Sequence, residues 1–174
     1  MTPYQTAERW LLAEGLFDAT LEELAIDGRS NREGIAFFLG RHHGTQAHLT
    51  HLLKLRGIKL NKTPDHLRVD PDLMNEVTDL AIAEDVSLLG QIHSHGPGHG
   101  IDLSYPDHFH GIRVQGFLSL VAPDFALRPH TGLLDCGVHV FEASKGYRRM
   151  LDQEIKRRFA LLDGVRHRAL VVSS

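Results

Sequence analysis

Only one cysteine stands in the whole chain, Cys136. An internal disulfide and a thiolate metal cluster are therefore both excluded, and any metal has to be held by nitrogen and oxygen. Cys136 itself reads as a small buried hydrophobe in an apolar strand. Nowhere is there a run of about 20 apolar residues, the length needed to cross a bilayer, and MTPYQTAERW has no basic segment followed by an apolar one. Those absences predict a soluble, unsecreted, cytoplasmic protein with no membrane partner. Strong charge is missing too. With 19 basic and 22 acidic residues the formal charge is −3, which gives no general attraction to nucleic acid. Repeats, low-complexity tracts and linkers are absent, so residues 1–174 are expected to form one domain.

What is plentiful is histidine, with 13 in 174 residues. The net charge is accordingly sensitive to mildly acidic pH.

Local signals predict an α/β chain. Thr2-Pro3-Tyr4-Gln5 reads as a capped helix start, with the helix ending near Gly15, and Thr20 with Glu23 three residues on reads as a second start ending at Asp27-Gly28. Gly34 to Gly40 is a short continuous apolar run, as in a strand buried on both faces, with Glu33 at its mouth. A turn at His43-Gly44-Thr45 joins it to a strand over Gln46 to Leu55. Asn61 to His66 reads as a loop. Asp70-Pro71 caps an amphipathic helix in which Leu73, Met74, Val77, Leu80 and Ala81 share a face, ending near Asp85. Val86 to Ile92 is a strand that delivers the chain to His93-Ser94-His95, and a strand's C-terminal end is where open α/β sheets place their sites. Further on come a short helix capped by Ser104, a strand over Gly116 to Val121, and a loop from Ala122 to Gly132. Gly137 to Phe141 pairs through Lys145-Gly146 with Tyr147-Arg148-Arg149, and a basic helix from Leu151 to Leu162 precedes a last strand from Arg166 to Val172.

The segment QIHSHGPGHGIDLSYPDHFH, Gln91 to His110, concentrates the chemistry. A His-x-His pair alone is weak evidence, since random placement of these histidines yields on the order of one. Requiring Ser-x-x-Asp at a narrow range of spacings afterwards is stricter, with a chance of roughly one in seventy. On a strand, alternate side chains share a face, so His93 and His95 point to one metal while Ser94 points away. Asp107, returned by the glycine-rich loop, supplies a third ligand. Two imidazoles and one carboxylate are typical of catalytic zinc, because a fourth position stays open.

Together with Glu33 in REGIAFFLG and the strand LLGQIHSH, this order of residues resembles the JAMM (MPN-plus, JAB-type) zinc metalloproteases, over about Thr20 to Met150. GVHVFEASKGYRRM is similar to the closing strand pair of small prokaryotic members. The resemblance implies a single MPN/JAB-type, cytidine-deaminase-like domain with a mixed sheet flanked by helices. It also implies one Zn2+ per chain on His93, His95 and Asp107, with Glu33 as general acid/base and Ser104 stabilising the tetrahedral intermediate. The implied reaction is cleavage of an amide at the C-terminus of a ubiquitin-like protein, with that protein, its conjugates and conjugation-pathway enzymes as partners, in a bacterial and antiphage setting. Two departures fall in the loop: Gly96 stands where the family most often has proline, and Gly96 to Leu103 is one residue longer than the commoner spacing. Both bear on substrate fit.

Plainer readings remain for individual residues. Glu33 can be an exposed carboxylate paired with Arg32 or Arg41, Ser104 only a helix cap, and His99, His108 and His110 solvated positions. The eight basic residues from Lys145 to Arg168 read first as a solvated helix face. Alternative functions are release of a small amino acid such as cysteine from a sulfur-carrier protein, and a non-catalytic scaffold of the same fold.

Overall fold

A computed structural model describes residues 7–57, 60–64 and 67–173. Its first strand, β1 (Arg9–Glu14), lies where the sequence predicts a helix running to Gly15; the predicted helix start at Thr2 to Gln5 is outside the described residues. Long-range pairing decides the outcome here. β1 is held on both sides by parallel neighbours, one of them β3 (Gln46–Arg56) and the other β10 (Phe159–Arg166). Trp10 is fully buried and stacks on Phe159, while the Arg158 guanidinium lies 4.4 Å from its ring centre. A local capping signal carries about a kilocalorie, less than burial of one such aromatic.

Gly15, with φ 73°, turns the chain into α1 (Leu16–Gly28), four residues before the predicted start. Thr20 is inside that helix, and its hydroxyl donates to the Leu16 carbonyl at 2.7 Å. β2 (Ile35–His43) and β3 form the predicted hairpin about Gly44. β4 (Leu60–Lys62) takes in the first two residues of the loop predicted from Asn61 to His66 and pairs with β5 (Leu67–Val69), just past it, as a small separate sheet. α2 (Pro71–Ala83) starts as expected, the Asp70 carboxylate accepting from the Asp72 amide at 2.9 Å. Then follow β6 (Ser87–Ser94), α3 (Tyr105–His110), β7 (Leu118–Ala122), β8 (Gly137–Glu142) and β9 (Gly146–Arg149).

The basic helix predicted to Leu162 is shorter: α4 (Asp152–Arg158) stops where Phe159 turns extended, and residues 159–166 become β10. Its three C-terminal cations suit the negative end of the helix dipole, but the apolar residues after them are drawn into pairing with β1. β11 (Arg168–Ser173) closes the chain beside β3, beyond the end of β1.

The nine-stranded mixed sheet has the order β10-β1-β3-β2-β6-β7-β8-β9, with β11 on β3. Helices cover both faces. Phe38, Leu52 and Leu120 meet Leu24 of α1 and Ile155 of α4 in one core layer, while Phe37, Leu39 and Leu53 meet Leu73 and Val77 of α2 in the other. Consecutive Phe37 and Phe38 thus serve opposite layers, which is why their strand reads as unbroken apolar sequence. β6, with parallel β7 on one side and antiparallel β2 on the other, occupies the middle of the sheet and carries His93 at its end, with His95 one residue past it. Among the described residues, no helix is long and apolar enough to cross a membrane.

Candidate metal centre

His93 is paired with Ile35 in the sheet and shares the Ile35–Phe37 face. His95 follows two residues on, its amide bonded to Ala122 of β7. Both imidazoles are buried, and their Nε2 atoms stand 3.1 Å apart. Asp107 Oδ2 lies 3.4 Å from His93 Nε2 and 3.7 Å from His95 Nε2. Among the described residues this is the cluster that could hold a metal ion. Bonds of about 2.0–2.1 Å in a tetrahedral site imply ligand-to-ligand edges of about 3.3 Å. The observed triangle is close to one face of that figure.

Orientation of the rings supports the fit. His95 Nδ1 lies 3.0 Å from the Gly100 carbonyl, an acceptor only, so the proton belongs on Nδ1 and the Nε2 lone pair faces the cluster. Lone pairs and a carboxylate gathered this closely repel unless a proton or cation sits among them. Burial presses the His95 imidazole down, yet the Asp107 carboxylate, the Gly100 carbonyl and the charge of Glu33 raise it above its ordinary value. Burial likewise works to raise Asp107, but the two imidazoles and the Ser104 hydroxyl hold its carboxyl far below the usual range. The pocket is built to stabilise positive charge.

α3 delivers Asp107 through its cap. The Ser104 amide and hydroxyl both donate to Asp107 Oδ2, at 2.8 and 2.7 Å, and the Asp107 amide faces Ser104 Oγ at 3.4 Å. Ser104 is therefore a helix cap and a neighbour of the centre at once, and it is exposed. Glu33 is buried at the mouth of β2, its amide donating to the Thr63 carbonyl. That burial sets aside the picture of an exposed carboxylate at Glu33, and Arg32 and Arg41 reach Asp27 and Asp85. His99, His108 and His110 are exposed and outside the cluster.

No family model matches the chain, and no curated protein matches it. A solved structure does. The solution structure of a protein from Desulfitobacterium hafniense is similar to this chain with a TM-score of 0.62, at 15% sequence identity, covering 91% of this chain and 99% of that one. At that identity the likeness shows the fold alone.

Several residues that position the site escape a reading for chemistry. Ser94, predicted only to point away, accepts from the Gly34 amide at 2.9 Å in the core, tying the histidine strand to the residue after Glu33. Asp124, Phe125 and Ala126 all take left-handed φ near 55°, a conformation that costs L-residues about 1–2 kcal/mol each. The turn they make is clamped: the Phe125 amide donates to the His95 carbonyl at 2.7 Å, and a Cβ on Gly96 would come within 2.8 Å of the Phe125 ring. Gly28 similarly leaves room for the Phe125 carbonyl. Only the glycines themselves hint at these contacts in the sequence. A groove of about 800 Å³ between α1 and residues 126–131 contains none of the predicted site residues. Cys136 is buried just before β8, and burial pushes its thiol up to about 12, so it is an inert hydrophobe.

Proposed function

We propose that the protein is a zinc-dependent peptidase or isopeptidase of the JAMM (MPN-plus, JAB) type, acting on an amide at the C-terminus of a ubiquitin-like protein. The observation that carries this reading is the His93–His95–Asp107 triangle at the end of a central strand, with Glu33 buried just before the neighbouring strand. Two imidazoles and a carboxylate favour zinc over calcium or magnesium, which take oxygen ligands. When bound, zinc supplies Lewis acidity, making water a nucleophile near neutral pH and polarising a carbonyl.

The remaining steps belong to the chain. Glu33 takes the proton of the attacking water and returns it to the departing amine nitrogen. The Ser104 hydroxyl donates to the carbonyl oxygen as negative charge gathers there, for which it must turn from Asp107 Oδ2. Asp107 keeps its other capping bond, from the Ser104 amide, while the hydroxyl is away.

The test is cleavage of a ubiquitin-like fusion by purified protein of known zinc content. Wild type should carry one zinc and cleave; Glu33→Gln should keep the zinc and lose about 10²–10⁴-fold in kcat/KM, and His95→Ala should lose the zinc. Full activity in Glu33→Gln would overturn the assignment. The mass of the released group separates tail or conjugate cleavage from release of a single amino acid.

A further inference from the structure

We propose that Gly137, Asp102 and Arg149 are positioning residues for the metal centre, acting through the loop of residues 96–103. This rests on the reading of His93, His95 and Asp107 as metal ligands. The His95 ring is oriented by the Gly100 carbonyl at 3.0 Å. Gly100 cannot hold itself in place: Gly98 and Gly100 have φ of 82° and 71°, are exposed, and a Cβ on either would touch nothing. A free glycine loop of this kind samples many conformations.

The next two residues anchor it. The Ile101 carbonyl rests on Gly137 so closely that any Cβ there would run into its oxygen. Asp102 Oδ1 then receives Arg149 Nη1 at 2.6 Å. Gly137 and Arg149 belong to adjacent strands, with Arg149 paired to His139 two residues beyond Gly137. Gly100, Ile101 and Asp102 thus lie in series, from the ligand's ring to the rigid edge of the sheet. Holding the carbonyl fixes both the tautomer and the aim of His95, the kind of outer contact whose loss weakens metal binding.

A merely structural role predicts something different. Asp102 and Arg149 are 75% and 44% exposed, and an ion pair that open contributes little to stability. Zinc affinity, measured by competition with a chromophoric chelator, and the visible absorption of the Co2+-substituted protein read the site directly. Gly137→Ala should weaken zinc binding by about 10–100-fold and Arg149→Met by roughly tenfold, the low end of that range, both with an altered Co2+ spectrum. Arg149→Met should keep the wild-type melting temperature, and Arg149→Lys, which leaves a cation within reach of Asp102, should restore affinity. Should Gly137→Ala fail to fold, Arg149→Met and Arg149→Lys decide. Wild-type protein that binds no zinc would overturn the metal reading itself. Wild type that binds, with Arg149→Met binding equally well, would overturn the positioning role alone.

Discussion

Ser94 shows how a single side chain can join two halves of a site without touching the chemistry. Its neighbours His93 and His95 face the metal cluster, so the alternation of a strand sends its hydroxyl to the other face, where it meets the Gly34 amide in the core. Gly34 has no Cβ there for a reason: one would lie 3.0 Å from the Leu24 Cα of α1. The helix, the Glu33 strand and the histidine strand therefore converge at one point. Ser94→Ala leaves a buried amide without its acceptor, which should cost about 1–3 kcal/mol in a urea denaturation series. Because the freed residue is next to Glu33, kcat/KM should also fall while zinc content stays at one per chain. An unchanged midpoint and unchanged activity would show that the tie carries neither load. Gly96 acts at the same scale: by lacking a Cβ it admits the Phe125 ring.

Elements were legible in the sequence where their signals and their packing agree. β2, β3, α2, β6 and α3 fall close to expectation because turn chemistry, caps and hydrophobic period all point the same way. The last strand was legible, β11 falling at Arg168–Ser173 where Arg166 to Val172 is predicted, but β1 and β10 were not. β1 is held by β3 and β10, and β10 by β1, with Trp10 beside Phe159 some 150 residues away in sequence, and no local pattern carries that information. The His93–His95–Asp107 cluster could be read from spacing, whereas Gly100 and Gly137 act through a backbone carbonyl and a bare Cα, and Ser94 through a hydroxyl turned to the opposite face. The basic tract is a related case. Arg148 donates to both Glu154 carboxylate oxygens at 2.8 Å and also to Glu142; Arg158 reaches Glu154 at 2.7 Å as well as the Ala7 and Glu8 carbonyls. What reads as a solvated basic face is in part a clasp between α4, β9 and the start of the described chain. The Arg148 guanidinium, with Arg158, holds the Glu154 carboxyl down at about 2. A carboxyl depressed in the fold contributes stability that is complete above its unfolded value near 4.3 and is lost as pH falls from there through about 2. With Arg148 at 36% exposure the contribution is discounted to about 1–2 kcal/mol. Glu154→Gln should lower the urea midpoint at pH 7 and make no difference at pH 2, and an equal loss at both would mean the charge is irrelevant.

Across the whole molecule, His95 is raised above its ordinary value by the groups around it, whereas four other histidines are held below theirs by burial. His93 and His95 face Asp107. By contrast, burial lowers His42, His48 and His51 on the β2–β3 hairpin, and lowers His139 in β8 to about 4. Burial dominates at His139; its Nδ1 donates to the Ser119 carbonyl at 3.1 Å, Arg149 and His108 add to the lowering, and Asp102 opposes it. The unfolded chain binds a proton here near pH 6.5 while the folded chain does not until about 4, so the unfolded state holds more protons in between. Stability from His139 is thus complete above pH 6.5 and is lost as pH falls toward 4, by about 2 kcal/mol at pH 5 and about 3 kcal/mol below 4. His139→Asn keeps a donor near the Nδ1 position but cannot take up the proton. Urea denaturation in the presence of a chelator, which removes any metal contribution from His93 and His95, should give a wild-type stability that drops between pH 6.5 and 4 and a variant whose drop is shallower by that amount. Parallel curves would place the acid sensitivity elsewhere, with the three hairpin histidines the next to substitute.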